Sequence, residues 1–511
     1  MTSLVKLNFG RHKDIQRLTQ VWRHLGISLR KTNYINFEIR LRNEKYSKKP
    51  KRAPSLGTLC VIHTKQTQYI MRRLIIFLLI PIAVKAQTNY SELLDKFMQA
   101  QASVNQFSGT VIVVNKDKTI YEKAFGKADR EWNIDNTIET RFRIGSNTKQ
   151  FTAACILLLE EQGKLNIEDK LNKYIPNYPK GDSVTIQMLL NHTSGVRDYT
   201  QLPEFWAYAE QIPLAADSMI SLFKNAPYEF SPGTNFHYSN SGYFLLGFII
   251  EKVSGQKYSD YLESNILNKV GLKNTGYDRL DSILQYRARG YNKTPYGFAN
   301  APHIAMEAPF SAGAIYSTIE DLYKWNKALM SNQILSASST KKMTTAYSGH
   351  YGFGLNVDNF QNHLRLWHNG EIPGFKAAMV YFPTEDIFIA VLSNNESNAT
   401  GLTDGLSDIM FDVPIEIPYI HKEILVDTKV LDRYIGTYDG AFSFQIIKKD
   451  NKLYRYRPDR SDVELKPESS TKFFFADNSD RQIEFQINKA NKVTKTFFIN
   501  GGAKTEISKI K

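Results

Sequence analysis

Strand-like segments lie at both ends of a long helical stretch, and this order constrains the fold more than any single residue does. Near the amino end, residues 110–114 and 119–124 flank a polar turn at 115–118, which is a hairpin pattern. Towards the far end, 364–367, 377–382 and the continuous apolar run 387–392 read as strands. Helical patterns fill the rest. Residues 90–104 carry Leu93, Leu94, Phe97 and Met98 on one side, and the stretch after Ser146 carries a stripe of Phe151, Ala154, Cys155 and Leu158 ending near Gly163. Further helices are expected at 185–191, 217–223, 242–253 closed by Gly255, 258–268, and 322–330 behind a Ser317/Glu320 capping box. The order predicts one sheet built from the two ends of an α/β domain, with a mostly helical insertion.

At the head of the first inserted helix stand Ser146, Asn147, Thr148 and Lys149. Residues three apart share a helix face, so the Ser146 hydroxyl and the Lys149 ammonium meet about one turn apart. A serine becomes nucleophilic when a neighbour takes its proton, and a lysine does so where burial or nearby cations lower its pKa. The spacing alone is weak evidence, because it recurs at Ser28/Lys31, Ser221/Lys224, Ser254/Lys257 and Ser338/Lys341.

The formal charge of +14 points to nucleic acid or a membrane surface only until it is mapped. Residues 1–70 hold 15 Lys/Arg against 3 Asp/Glu, and 71–86 add Arg72, Arg73 and Lys85. The remainder, 87–511, carries 47 basic and 48 acidic side chains, so no nucleic-acid partner is expected for the main body. Met71-Arg72-Arg73, an apolar run over 74–84 and Val84-Lys85-Ala86 read as a secretory signal peptide, and the run is too short for a stable membrane span. The expected organisation is a basic extension at 1–70, absent from the mature protein, then a signal peptide at 71–86 cleaved near Ala86, giving a secreted or periplasmic protein. The competing reading of 1–70 is a targeting or nucleic-acid-binding arm. Cys60 follows no apolar run and is a poor lipid-anchor site. After cleavage only Cys155 remains, which excludes an intrachain disulfide and leaves that residue to core packing.

Two further stretches lift Ser146 above the other Ser-x-x-Lys pairs. Ser231-Pro232-Gly233-Thr234-Asn235-Phe236-His237-Tyr238-Ser239-Asn240 is a turn-rich loop feeding a helix, where Tyr238 offers a phenol for proton transfer and Asn240 an amide to hold a substrate carbonyl. Taken singly, Tyr238 is a core tyrosine and Asn240 a helix cap. Trp367-His368-Asn369-Gly370-Glu371-Ile372-Pro373-Gly374 lies between strand signals; Gly370 lets a substrate backbone approach a strand edge, beside a backbone N–H that faces a developing oxyanion. His350-Tyr351-Gly352 reads as strand entry, because Phe353 and Leu355 alternate after it, and His192 and His237 read as structural histidines. With neither HExxH nor paired CxxC present, no metal or other cofactor is expected.

In this order, over about 107–395, these motifs resemble the penicillin-recognising serine hydrolases: class C β-lactamases, low-molecular-weight D,D-peptidases, D-aminopeptidases and related esterases. Leu189-Leu190-Asn191-His192-Thr193-Ser194-Gly195, Ser239-Asn240-Ser241-Gly242-Tyr243, Val270-Gly271-Leu272-Lys273-Asn274-Thr275 and Ala312-Gly313-Ala314-Ile315-Tyr316-Ser317-Thr318 look like the family's framework segments. The resemblance implies an antiparallel sheet flanked by helices, with the hydrolase domain at 87–420. It also implies an acylation route on a small-molecule or peptide substrate. Ser146 attacks a carbonyl, Lys149 and Tyr238 share the proton work, and Asn240 orients the substrate amide. His368 and Gly370 line the strand-side wall, the backbone N–H groups of Ser146 and Glu371 form the oxyanion hole, and water hydrolyses the acyl-enzyme. Which of Lys149 and Tyr238 takes the first proton stays open. Many β-lactamases carry Lys where this chain has His368. Imidazole, with an ordinary pKa of about 6.5, is largely neutral at neutral pH, which favours a peptidase or esterase and predicts that activity follows His368 protonation.

From 432 the texture changes to short strands at 434–438, 442–448, 452–456, 472–475, 483–487 and 495–499, separated by polar turns. This resembles the lipocalin-like β-domain appended to such hydrolases and gives a barrel-like domain at 425–511, read as a packed accessory, with a lid or substrate-selecting wall as its sharper role. The rival for the whole chain is a non-catalytic peptide- or cell-wall-binding protein on the same fold.

Overall fold

A computed structural model describes residues 27–31, 37–41 and 89–511, apart from 105, 210, 295, 441–442, 459, 478–480, 501 and 511. The chain divides into two units, Met1–Gln87 and Thr88–Lys511. In the first, Ile27–Lys31 pairs antiparallel with Phe37–Leu41. The signal segment expected at 71–86, and most of the basic extension, lie outside the described residues. Among the described residues no helix is long and apolar enough to cross a membrane.

The second unit contains the expected sheet. Its strands are β1 (Gly109–Asn115), β2 (Lys118–Phe125), β3 (Asn356–Phe360), β4 (His363–Ile372), β5 (Phe375–Phe382) and β6 (Ile387–Ser393). They are antiparallel in the order β3-β4-β5-β6-β1-β2, and β6 pairs with β1 from Ile387↔Asn115 to Ser393↔Gly109. Strand side chains alternate between faces. Val111, Val113, Ile389 and Val391 therefore pack against one helical layer, and Ile112, Val114, Phe388 and Ala390 against the other. Both faces are covered, which is why 387–392 is apolar without interruption.

The outer layer is α1 (Tyr90–Val104) and, at the end of the domain, a helix over Ala399–Met410. The inner layer holds α2 (Thr148–Glu161), α3 (Asn240–Ser254) and α4 (Ile319–Met330). Every side chain of α2 from Thr148 to Leu159 is buried, including Cys155, and Phe151 stacks on Trp325 of α4 at 3.9 Å. Two local expectations are corrected. The cap of α4 is Thr318, which accepts from the Asp321 N–H at 3.3 Å; Ser317 belongs to a short strand and its hydroxyl pairs with Thr275 at 2.8 Å. Residues 353–355 form no strand: Tyr351 makes an isolated bridge to Asn356, the chain turns at Gly354, and β3 starts at Asn356.

Beyond the sheet the chain forms a closed eight-stranded barrel. Its strands are β7 (Gly436–Asp439), β8 (Phe444–Lys449), β9 (Lys452–Arg457), β10 (Arg460–Pro467), β11 (Lys472–Phe475), β12 (Gln482–Ile487), β13 (Val493–Asn500) and β14 (Ala503–Lys509). Ile446, Leu453, Leu465, Phe473, Phe485 and Ile507 fill its interior. The barrel is fastened to the sheet-containing part at Glu416, whose carboxylate accepts from Lys472 at 2.6 Å and whose N–H donates to the Gly502 carbonyl at 3.0 Å.

Candidate active site

One tight turn, Gly145–Asn147, leads into α2 and presents Ser146 at the rim of the core. Lys149, one turn on, is fully buried, and its Nζ donates to Ser146 Oγ at 3.1 Å, Asn240 Oδ1 at 2.8 Å and the Ala312 carbonyl at 2.9 Å. An ammonium has three donors, so all three are used. A neutral amine keeps two and turns its lone pair to the serine hydroxyl. Burial pushes Lys149 down to about 7, while the Asp198 carboxylate acts in the opposite direction. The Ala312 carbonyl is held in place by its neighbour: Ser311 Oγ donates to the Tyr243 carbonyl, and Thr152 Oγ1 donates to the Ser311 carbonyl.

The loop before α3 delivers the second pair of groups. Ser239 is the helix cap, extended and accepting from the Gly242 N–H at 3.3 Å, so Asn240 is released from capping. Its amide bridges the site, Oδ1 to Lys149 and Nδ2 donating to Asp198 Oδ2 at 3.1 Å. Tyr238 lies over Lys149, with Nζ 4.8 Å from its ring centre. Burial pushes the Tyr238 phenol up, and its hydrogen bond with Ser146 pulls the other way. The buried His192 accepts from the Ser239 N–H through Nδ1 at 3.1 Å and packs its ring 4.4 Å from that of Tyr238. His237 sits 3.9 Å from Glu229.

The strand side is set by register. β4 and β5 join through a two-residue turn whose closing pair is Ile372↔Phe375. Residues 368, 370 and 372 then exchange hydrogen bonds with β5, and 369 and 371 present theirs to the opposite edge. β3 covers that edge only as far as Trp367. The Glu371 N–H therefore faces the side where the Ser146 turn lies: a Cβ on Gly145 would come within 2.7 Å of the Glu371 nitrogen. Gly370 differs from expectation. A Cβ there would lie 1.9 Å from the Ile144 carbonyl oxygen, so its missing side chain admits the Ser146 turn itself rather than a substrate backbone.

His368 also differs. It is 2% exposed, not an open wall of the groove. Its Nδ1–H donates to the Asn369 carbonyl, which leaves Nε2 to accept from the Tyr351 hydroxyl at 2.9 Å. Burial, reinforced by Lys149, pushes its pKa down to about 3. The ring stays neutral throughout the ordinary pH range, so the expectation that activity follows its protonation near neutrality is corrected. Sequence reasoning also missed two residues. Asp198, 5% exposed, anchors Asn240 and faces Lys149; its signal was an acid three residues beyond the framework glycine Gly195. Tyr351, read as strand entry, hydrogen-bonds His368 Nε2 at 2.9 Å.

A hydroxyl, an amine of lowered pKa and a phenol thus lie together, with an outward backbone N–H beside the turn that carries the hydroxyl, a set of groups suited to acyl transfer. A family model described as Beta-lactamase matches residues 92–407, more than half of the chain. A penicillin-binding protein of Bacillus subtilis (strain 168) is 29% identical over 72% of this chain and 88% of its own length. The crystal structure of a penicillin binding protein from Bacillus halodurans superposes with a TM-score of 0.55 at 29% identity, covering 62% of this chain and 97% of that one. The D-amino acid amidase from Ochrobactrum anthropi SV3 shares the fold, with a TM-score of 0.56 at 23% identity over 63% of this chain and 99% of its own. With the sheet, the Ser146 turn and the family match in agreement, the chain belongs to the β-lactamase family of serine hydrolases.

Proposed function

We propose that the mature chain hydrolyses an amide or ester through an acyl-enzyme on Ser146, and that its substrate is a D-amino-acid peptide of cell-wall origin, met after export. The observation that carries this is the buried Lys149 Nζ held 3.1 Å from Ser146 Oγ. Neutral Lys149 takes the Ser146 proton as Oγ attacks the carbonyl carbon. The N–H groups of Ser146 and Glu371 stabilise the oxyanion. Tyr238, kept protonated by burial, donates to the leaving nitrogen or oxygen and is reprotonated by the Lys149 ammonium. Asn240 holds the substrate amide, and water releases the acid. Lys149 is the first base on this reading, because its pKa is lowered towards neutrality while that of Tyr238 is raised. Support for the substrate class comes from the amidase fold-neighbour and from His368. A neutral imidazole supplies no cation for an antibiotic's carboxylate.

The test is a comparison of initial rates. D-amino-acid amides and esters are expected to turn over faster than benzylpenicillin, and a preference for penicillin overturns the substrate reading. On the same substrates, kcat/KM is expected to rise as pH passes through about 7, where Lys149 loses its proton, and to level off above. Asp198→Asn removes the carboxylate that holds the Lys149 pKa up, and shifts this midpoint down by about 1 pH unit. An unmoved midpoint contradicts the assignment of that limb to Lys149.

A further inference from the structure

Tyr238 reaches the active site from a stretch of chain that no helix or strand fixes. Residues 235–239 are irregular, so no ladder of backbone hydrogen bonds sets the place of its ring. The stretch is gripped by His192, on the loop that also carries Asp198. The His192 carbonyl accepts from the His237 N–H at 3.0 Å, and His192 Nδ1 accepts from the Ser239 N–H at 3.1 Å. These two bonds fall on the residues either side of Tyr238. The imidazole then packs against the phenol, ring centres 4.4 Å apart, in a cage completed by Tyr351 at 4.5 Å and Tyr243 at 5.1 Å. His192 has a φ of +60°, a left-handed conformation uncommon outside glycine, and in it carbonyl and side chain serve the same segment.

Packing alone does not account for an imidazole here. His192 is 1% exposed, and its Nε2 is buried with no hydrogen-bond partner among the described residues. Burial, reinforced by Lys149, His368 and His237, pushes its pKa well below the ordinary value, so the ring is neutral. Nδ1 accepts and therefore carries the lone pair, which leaves the proton on Nε2 as a buried donor without an acceptor. A phenyl ring fills the same space without that penalty. What phenyl lacks is the acceptor for the Ser239 N–H.

We infer that His192, given the proton-donor role proposed above for Tyr238, is a positioning residue for the hydrolytic reaction: through its bonds to His237 and Ser239 and its ring contact it sets the phenol hydroxyl against the leaving group. The phenol proton passes to the leaving nitrogen as the bond between that nitrogen and the carbonyl carbon breaks. An amide depends on this transfer, because its nitrogen leaves poorly without a proton. A nitrophenyl ester does not, because nitrophenolate departs as the anion. Loss of the grip therefore acts on amides and spares activated esters, a selectivity that general loosening of the fold does not produce.

The experiment compares kcat/KM of the full chain on D-alaninamide and on the p-nitrophenyl ester of D-alanine, each rate expressed per serine titrated by a fluorophosphonate, so that any unfolded fraction drops out. Tyr238→Phe calibrates complete loss of the donor. His192→Phe keeps a ring and removes the acceptor, and is expected to lower the amide rate by about 10–10²-fold, the scale of a misplaced catalytic group, with little change on the ester. His192→Asn keeps an acceptor close to the place of Nδ1 in a residue type that tolerates left-handed backbone, and is expected to retain more of the amide-to-ester ratio than His192→Phe does. If His192→Phe yields no titratable serine, His192→Gly, unstrained at this φ, replaces it in the comparison with His192→Asn. Where Tyr238→Phe is amide-selective, equal loss on both substrates in His192→Phe, or no loss, overturns the inference and leaves the proposed function standing. A His192→Asn variant as impaired on the amide as His192→Phe overturns the assignment to the Nδ1 acceptor. If Tyr238→Phe shows no amide selectivity, Tyr238 is not the donor, and the positioning role of His192 falls with it.

Discussion

Lys149→Met is expected to slow acylation of Ser146 by about 10²–10⁴-fold, the usual loss on removing a positioned proton acceptor. Methionine approximates the length and volume of the fully buried lysine, so the core around α2 stays filled. Two acceptors, Asn240 Oδ1 and the Ala312 carbonyl, lose a donor, at a cost of about 1–3 kcal/mol for each that stays unsatisfied. Against that, a desolvated amine is removed. Melting temperature therefore moves little compared with the rate. Single-turnover acylation with an activated D-amino-acid ester, measured beside thermal unfolding, checks both parts. An acylation rate within about tenfold of the parent contradicts the role of Lys149 as first base.

Gly370→Ala is expected to damage stability and catalysis together. The added methyl meets the Ile144 carbonyl oxygen at 1.9 Å and its carbon at 2.9 Å, both of them backbone atoms that cannot rotate away. Relief requires β4 and the Ser146 turn to separate. Forced overpacking of this kind costs about 1–3 kcal/mol or more. Separation also moves the Glu371 N–H from its place beside Gly145, and loss of one oxyanion donor lowers kcat by about 10²–10³-fold. Thermal melting and kcat on the same preparation test the pair. A variant with unchanged kcat shows that the Glu371 N–H does not serve the reaction.

The sheet was legible because its strands carry a strong local signal: 387–392 is apolar on both faces, and the hairpin at 109–125 turns on polar residues. The Ser146–Lys149 pairing was legible because it is one helical turn long. Contacts formed only by tertiary approach were not. Nothing local marks Asp198 as the partner of Asn240, 42 residues away in sequence. Gly370 reads as an open strand edge until the Ile144 carbonyl is placed against it. His368 looks like a titrating wall residue until burial and the neighbouring Lys149 keep it neutral. The barrel shows the same limit. β10 and β14 were not expected, because each presents one buried hydrophobic residue, Leu465 or Ile507, among charged side chains.

The central claim, an activated nucleophile at Ser146, is tested most directly by the intact mass of the purified protein after exposure to a fluorophosphonate and, separately, to benzylpenicillin, with Ser146→Ala beside it. One fluorophosphonate adduct per chain is expected in the parent and none in the variant, with any penicillin adduct forming more slowly and likewise requiring Ser146. No adduct with either reagent, or an adduct that persists in Ser146→Ala, contradicts the account and leaves a protein that uses this cleft to bind rather than to cleave.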